Sequence, residues 1–281
     1  MTTHCIYHYG CPDGWTSAWV LKQAIPDAIL HPGRYGEPPP VAFSDATVYI
    51  VAFSYPADQI REIAATAEKV IILDHHKTAR KNLEDVDLGP NVTVVFDMDR
   101  SGAMITFDHF NRSPSYAATL VSYVQDRDLW ADEMESSVEV GALILATNHT
   151  MEEWTTLAET FAADNGVNQA AAQGAAILKR DRKVQKEILD CARRMTIGGH
   201  EVLVVASPYA YGSYVAGELA KTNGSLFGAY YVDKPDHRQF GLRSVKGSGC
   251  DVSAIAEQYG GGGHAEAAGF NVPRDHPLAC G

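Results

Sequence analysis

Residues Asp74, His75 and His76 directly follow a run of four apolar residues, 70–73. An apolar run of this length is typical of a strand that is buried on both faces, as in a parallel sheet. Ligands of open α/β sheets bind where strands end at their carboxyl edge, and neighbouring His and Asp side chains suit divalent metals. The triplet therefore predicts a metal or ligand site at this edge. The alternative is a polar turn after a core strand.

A second pair of candidate ligands lies near the N-terminus. Residues 4–8 form a predicted strand that ends at His8, and the Gly- and Pro-containing turn after it holds Asp13, ahead of a predicted helix over residues 15–24. This order is the first half of a βαβ unit, so both side chains are expected at the same sheet edge. Taken singly, His8 is explained equally well as an ordinary edge histidine, and Asp13 as part of an Asp-Gly turn.

Further polar residues interrupt apolar sequence downstream. Arg100 and Ser101 precede a predicted helix, whose N-terminus either favours a phosphate or is simply capped by the serine. Asp126 and Asp128 lie on either side of Arg127 at the end of another predicted helix. Because buried charges require a partner or a metal, either aspartate is a candidate ligand, the alternative being an Asp-Arg surface pair.

Four consecutive glycines, residues 260–263, precede His264 near the C-terminus. We predict that His264 begins a helix and that the glycines leave a backbone surface which an anion or a ribose can approach closely. The alternative is a glycine-rich loop that is merely flexible.

The apolar patterns predict an α/β protein with a parallel sheet flanked by helices, a long linker helix and a smaller α/β domain. Further strands are expected over 47–54 and 92–96, helices over 57–69, 137–146 and 151–162, and the linker helix over 167–195. Strands return at 202–206, 227–232 and 239–243. These elements place one domain at 1–190 and a second at 196–281.

Composition limits the classes of partner. The net charge of −12 argues against sequence-independent binding of long duplex nucleic acid. Five scattered cysteines without a CxxC pair argue against a disulfide framework or a structural zinc site. Neither a signal peptide nor an apolar stretch of bilayer-spanning length is recognisable, so we expect a cytosolic protein without a membrane partner.

Taken together, these segments resemble the DHH phosphoesterase superfamily, in the branch with a C-terminal DHHA1 domain that includes nanoRNase and oligoribonuclease-like members. The resemblance covers nearly the whole chain and rests on motifs in the family's order: His8, Cys11, Asp13 and Gly14; residues 52–54; residues 74–76; residues 100–103; residues 126–128; and residues 260–270. It implies a two-metal site that hydrolyses phosphodiester or phosphoanhydride bonds, usually with Mn²⁺, other divalent metals being possible.

By position, the resemblance implies that His8, Asp13, His75 and Asp126 are metal ligands, with Asp126 ahead of Asp128. Asp74 would orient His75, and His76 would contact the substrate phosphate. The remaining implied contacts are to the substrate, from Arg100 and Ser101 in the first domain and from Arg243, Ser244, Gly262, Gly263 and His264 in the second.

Two residues depart from the family pattern. Cys11 occupies the place of the first of two acids, where it is either a soft ligand or a packed thiol. Ala52 occupies the place of the aspartate that bridges both metals. We interpret Ala52 as an engineered replacement of that aspartate, the alternative being a naturally inactive or one-metal relative.

The sequence thus predicts a Mn²⁺-dependent phosphodiesterase that converts di- or oligonucleotides to mononucleotides and is inactivated by Ala52. Cleavage of cyclic dinucleotides and exonuclease action on single strands are alternatives within the family, and polyphosphate is a less favoured substrate. A nucleotide-binding relative without catalysis is the alternative from another class.

Overall fold

The structure is a computed structural model, and it describes residues 2–222 and 224–280 of the chain. It divides into two compact units, Met1–Leu178 and Lys179–Gly281. The boundary between them lies within one long helix, α8 (Gly166–Leu189). None of the helices in the described ranges is long and apolar enough to cross a membrane.

A parallel sheet forms the centre of the first unit. Its strands are β1 (Thr2–His8), β2 (Ile29–Gly33), β3 (Ala46–Val51), β4 (Lys69–Asp74) and β5 (Val92–Phe96). They are ordered β2-β1-β3-β4-β5, and each neighbouring pair is parallel. β3 is buried along its whole length and β4 is buried after its first residue. Burial on both faces explains why these strands are continuous apolar runs.

Helices cover both faces of this sheet: α1 (Pro12–Ala24), α2 (Ala57–Thr66), α3 (Lys77–Leu83), α4 (Gly102–His109), α5 (Ala118–Asp128), α6 (Ser137–Ala146) and α7 (Met151–Ala162). Adjacent strand residues point to opposite faces. Accordingly, Ile72 belongs to a core cluster with Ile60 of α2, and Leu73 belongs to another with Leu21 of α1. The predicted α/β class with a parallel sheet flanked by helices is confirmed.

The second unit contains a mixed sheet. Its strands are β6 (Arg193–Ile197), β7 (His200–Ala206), β8 (Gly228–Asp233), β9 (His237–Arg243), β10 (Gly262–Gly263) and β11 (Ala267–Pro273). They are ordered β10-β11-β9-β8-β7-β6, and only β7 and β8 pair in parallel. The helices α9 (Tyr209–Ala220) and α10 (Val252–Glu257) complete the unit.

Two sequence predictions about this unit are wrong. The linker helix ends at Leu189 instead of residue 195, because Arg193–Ile197 pair with β7 across a turn in which Gly198 and Gly199 both have positive φ. The residues after the glycine run do not form a helix. Gly262 and Gly263 pair with β11, and the His264 amide donates to the carbonyl oxygen of Ala267.

Two elements of the first unit were not predicted. β2 contains Pro32, which reads as a loop residue, yet β2 lies at the sheet edge, where a missing amide hydrogen is tolerated. α3 follows His76 directly. Its sequence is strongly basic, and its buried apolar face consists only of Ala79 and Leu83, which gives a weak helical pattern. Neither element changes the predicted position of the site.

The strand order fixes where a ligand is expected. After β1 the chain places β2 on one side and β3 on the other, so the order reverses between β1 and β3. In sheets of order 2-1-3-4-5, ligands bind beyond the carboxyl ends of the strands at this reversal. His8 ends β1, Ala52 follows β3 and Asp74 ends β4. The predicted site residues therefore lie where the topology favours a site.

Candidate metal centre at the carboxyl edge of the parallel sheet

Close packing of α1 against the end of β1 brings Asp13 to this edge. Asp13 is the second residue of α1, and its side chain is buried. A Cβ added to Gly14 would lie 2.2 Å from the carbonyl oxygen of His8, so only glycine permits this approach. Gly14 is thus required by the packing of the helix on the strand.

Three of the described side chains form a compact set of possible metal ligands. One donor atom from each of Asp13, His75 and Asp128 lies within 4.8 Å of the other two. His75 Nε2 is 3.4 Å from Asp13 Oδ2 and 3.5 Å from Asp128 Oδ2. Donors that lie about 2.1 Å from one divalent ion in adjacent positions are separated by about 3.0–3.4 Å. The three side chains therefore fit around a single ion.

The charges of these three groups are coupled. Burial acts to lower the pKa of His75, but the carboxylates of Asp128 and Asp13 outweigh it and raise this pKa to about 9. Burial raises the pKa of Asp128 to about 6, with a further contribution from Asp13. Burial opposes ionisation of Asp13 too, but His75 and the Ala103 amide lower its pKa below the usual value. In the metal-free site, a proton on His75 balances the acidic residues.

Asp13 also occupies the N-terminus of α4. Its Oδ1 accepts from the Ala103 amide at 2.7 Å, and its Oδ2 accepts from the Gly102 amide at 3.1 Å. Ser101 caps the same helix by accepting from the Met104 amide. The amides that were predicted to bind a phosphate are therefore already used by a carboxylate.

Arg100, the other residue of that predicted phosphate site, is held in ion pairs. Its guanidinium donates to Asp97 at 2.7 Å and to Asp108 at 2.6 Å. The geometry thus favours the capped-helix alternative for Arg100 and Ser101.

Asp74 is the most fully bonded carboxylate of the site. It is buried and accepts from the backbone amides of His75 and His76, from His76 Nδ1 at 2.7 Å and from Ser54 Oγ at 2.7 Å. The charge and hydrogen bond of His76 hold its pKa well below the usual range, although burial acts in the opposite direction. Asp74 therefore orients the ring of His76, whereas the sequence interpretation assigned it to His75.

His8 lies beside this pair in an aromatic setting. Its ring is 6.0 Å from the His76 ring between centroids, 5.2 Å from Tyr35 and 5.8 Å from Phe53. Burial lowers the pKa of His8 to about 4, and His76 contributes in the same direction. His8 is therefore neutral near pH 7. Tyr35, which belongs to the Pro- and Gly-rich loop and had no predicted role, contacts both histidine rings.

The two aspartates at the end of α5 have different environments. Residues two apart on a helix face different sides. Asp126 accepts from the Glu133 amide at 2.9 Å and from the Ser137 hydroxyl, whereas Asp128 lies beside His75. The geometry therefore favours Asp128 as the ligand, the reverse of the order that the resemblance implied.

The structure also shows where Ala52 and Cys11, the two departures from the family pattern, lie. Ala52 is fully buried and has a φ of +59°, in the left-handed region. A Cβ added to Gly102 would lie 2.5 Å from the Ala52 methyl carbon and 2.8 Å from Asp13 Oδ2, so Ala52 and the Asp13 carboxylate both pack against the Gly102 backbone. Cys11 precedes α1, and burial raises the pKa of its thiol, with Asp128 and Asp13 adding to the effect. A protonated thiol is a poor metal ligand.

In the second unit, the structure brings the predicted substrate residues together at one end of the sheet. Arg243 pairs with Ala267, and the Ser244 amide donates to the carbonyl oxygen of Glu266. Gly262 and Gly263 pair with the same strand, β11, next to His264. The Arg243 guanidinium donates to Ser213 Oγ at 3.0 Å, which fixes its orientation.

Comparisons with known proteins were made by sequence and by structure. No protein-family model matches the sequence. One curated relative is the uncharacterized protein R106 of Acanthamoeba polyphaga mimivirus, which is 26% identical over 292 residues. The alignment covers 94% of this chain but 66% of R106, so the chain spans less than two thirds of that relative.

Solved structures with similar folds have low sequence identity. An exopolyphosphatase-related protein from Bacteroides fragilis is 12% identical with a TM-score of 0.51, over 99% of this chain and 89% of that one. The pGpG-specific phosphodiesterase PggH from Vibrio cholerae is 13% identical with a TM-score of 0.45, over 97% and 94%. RecJ from Thermus thermophilus in complex with Mn²⁺ is 15% identical with a TM-score of 0.49, over 96% and 49%. The chain therefore shares its fold with the Bacteroides protein.

Proposed function

We propose that this chain is a metal-dependent phosphoester hydrolase for short nucleotides, in the DHH superfamily, and that Ala52 suppresses its turnover. One observation carries the proposal, namely that His75 Nε2 lies between Asp13 Oδ2 and Asp128 Oδ2 at the carboxyl edge of a parallel sheet. This set of nitrogen and oxygen donors suits Mn²⁺ and similar divalent ions.

A divalent cation at this site would supply Lewis-acid stabilisation of the charge that develops on a phosphoryl group. Asp13, His75 and Asp128 would hold it. Asp13 is itself fixed by the two amides of α4, so its oxygens have little freedom to move. The donors are thus preorganised by the fold, which is the condition for electrostatic catalysis.

His76 is placed to act on the substrate. Asp74 accepts from its Nδ1, so Nε2 is the nitrogen that would contact a phosphate oxygen or a leaving group. A carboxylate that holds an imidazole by one nitrogen stabilises the protonated ring while the other nitrogen exchanges a proton. His76 therefore has the geometry of a phosphate-contacting acid.

The preference for short nucleotides follows from charge. The chain carries a net charge of −12, which disfavours a long polyanion, while a small anion needs only local compensation. In the second unit, Arg243, Ser244, Gly262, Gly263 and His264 are proposed to contact the nucleotide. Linear or cyclic dinucleotides and single-stranded ends all satisfy this chemistry.

The test compares this chain with Ala52→Asp in the presence of Mn²⁺. The substrates are pApA, short RNA, short DNA, a cyclic dinucleotide and polyphosphate, the last because the Bacteroides neighbour is described as exopolyphosphatase-related. We expect 5′-mononucleotides from Ala52→Asp and a rate lower by roughly 100-fold from the unchanged chain. Cleavage of polyphosphate alone would disprove the nucleotide assignment.

The role of His76 is tested in the Ala52→Asp background. Asp74→Asn should lower kcat by roughly 10²–10⁴-fold, because it weakens the contact with Nδ1 that orients the His76 ring. Ser54→Ala removes only one hydrogen bond to Asp74 and serves as the matched control, with a much smaller decrease. Equal losses for both substitutions would show that Asp74 acts through general stability.

A nucleotide-binding protein without catalysis is the second candidate, and Ala52 is the observation that favours it. It carries a methyl group where the resemblance implies a carboxylate. Tight binding of pApA with no hydrolysis, before and after Ala52→Asp, would support this candidate over the hydrolase.

A further inference from the structure

We propose that this chain binds one divalent cation, held by Asp13, His75 and Asp128, and that position 52 alone decides whether a second cation binds beside it. The inference deepens the proposed hydrolase and rests on its metal dependence. It departs from the two-metal site that the resemblance implies, because the described residues of the first unit supply ligands for only one ion.

The first step concerns the available donors. Asp13, His75 and Asp128 are the only group of three donors within 4.8 Å that the described residues of the first unit form by themselves. Asp74 is not a member of this group, and its carboxylate is held instead by four hydrogen bonds from Ser54, His75 and His76. What remains beside the group is the imidazole pair of His8 and His76. Imidazoles without a carboxylate form a weak site for a hard ion such as Mn²⁺.

The second step concerns the space at position 52. The Ala52 methyl carbon and Asp13 Oδ2 both line the space next to the Gly102 backbone, at 2.5 and 2.8 Å from a Cβ placed there. The Ala52 side chain and the Asp13 carboxylate thus lie close together against the Gly102 backbone. A methyl group offers no donor to an ion beside Asp13.

The third step concerns the backbone. Ala52 has a φ of +59° at the exit of β3, and its amide donates to the carbonyl oxygen of Leu73 at 2.9 Å, which fixes this conformation. Asp and Asn are several-fold enriched in the left-handed region, whereas Ala is disfavoured. The backbone therefore suits an aspartate better than the alanine that it carries. A carboxylate at this position would add the donor that the methyl group lacks.

The experiment measures metal stoichiometry in the full chain without substrate. The metal-free chain is titrated with Mn²⁺ by calorimetry, and bound metal is counted by elemental analysis after gel filtration. We expect about one Mn²⁺ per unchanged chain and about two for Ala52→Asp. Electron paramagnetic resonance gives an independent readout, because isolated Mn²⁺ shows resolved hyperfine lines that coupling to a second ion broadens or removes.

Two matched variants separate the carboxylate from the backbone effect. Ala52→Gly removes the backbone strain without adding a donor, and it should keep the stoichiometry of the unchanged chain. Asp128→Asn should weaken binding of the first ion by roughly 10–100-fold. If Ala52→Asp fails to fold, Ala52→Asn, which adds an oxygen donor and suits the same left-handed backbone, tests position 52 in its place.

The outcomes distinguish this inference from the proposed function. Two ions bound by the unchanged chain, or by Ala52→Gly, would overturn the single-ion inference without contradicting the proposed hydrolase function. No bound ion would overturn both. One ion in the unchanged chain and two in Ala52→Asp, with no hydrolysis of any substrate, would support the inference and overturn the hydrolase.

Discussion

At the level of single residues, His75 determines how the site responds to pH. Its pKa rises from 6.5 to about 9 because Asp128 and Asp13 outweigh the effect of burial. In the metal-free protein, this shift stabilises the fold fully below pH 6.5, and the contribution is lost as the pH rises through 9. A cation bound by Nε2 would compete for the same lone pair with the proton that His75 carries below this pKa.

This competition predicts proton release on metal binding. At pH 7.5, Mn²⁺ binding should release roughly one proton per ion, and the affinity should rise with pH up to about 9. Calorimetry in two buffers of different ionisation enthalpy measures the proton count. An observed enthalpy that is the same in both buffers would contradict the coupling.

Asp128→Asn is the control for proton release. The substitution removes the Asp128 charge, which is the largest single cause of the raised pKa of His75. Less of the imidazole is then protonated at pH 7.5, so fewer protons should be released for each ion that binds. The comparison is made at Mn²⁺ concentrations that saturate the weaker site.

Residue types were predictable at this scale, but their partners were not. The sequence places Asp126 and Asp128 equally close to the predicted site. The choice depends on which side of α5 faces His75, and on the amide and hydroxyl that bind Asp126 instead. Both contacts come from residues after the helix, which no local pattern in the helix reveals.

At the level of elements, a close contact between a glycine of one helix and the end of a strand positions the site. α1 can place Asp13 beside His75 only because Gly14 lies against the end of β1. The N-terminus of α4 then fixes the Asp13 carboxylate through two amides. The arrangement shows how a helix N-terminus stabilises an acidic side chain.

Gly14→Ala tests this packing. The added Cβ would lie 2.2 Å from the His8 carbonyl oxygen, so α1 must shift away from β1. We expect a loss of about 1–3 kcal/mol in the free energy of unfolding, together with weaker Mn²⁺ binding. Urea denaturation and metal titration provide the two measurements.

The matched control is Gly217→Ala in α9, where an added Cβ has no neighbour within 4 Å. Alanine is the better helix former, so this variant should be more stable by about 0.5–1 kcal/mol. Gly14→Ala with unchanged stability and metal affinity would show that α1 tolerates a shift at this point.

At the level of the whole molecule, we expect the net negative charge to limit the size of the polyanion that the chain can bind. With a net charge of −12, the chain should not bind a duplex of about 25 base pairs at physiological salt. In the presence of Mn²⁺, pApA should bind. Fluorescence anisotropy with both labelled ligands checks this, and duplex binding as tight as that of pApA would contradict it.

The sequence by itself determined the parallel sheet and the edge of the sheet at which the candidate site residues lie. Apolar runs of strand length identify β3, β4 and β5, and the acids and histidines that follow such strands must share the carboxyl edge of the sheet. The edge strand β2 and the hairpin of β6 escaped prediction, because pairing with a neighbouring strand stabilises them against their own local signals.

Only the tertiary structure showed which partner each of those side chains contacts. It placed Asp128 beside His75, gave the Asp74 carboxylate to the ring of His76, and used the α4 amides for Asp13. It also showed that Ala52 has a left-handed backbone and lies, like Asp13, against the Gly102 backbone. These facts depend on side-chain direction and on contacts between residues far apart in the chain, whereas a sequence motif records only spacing.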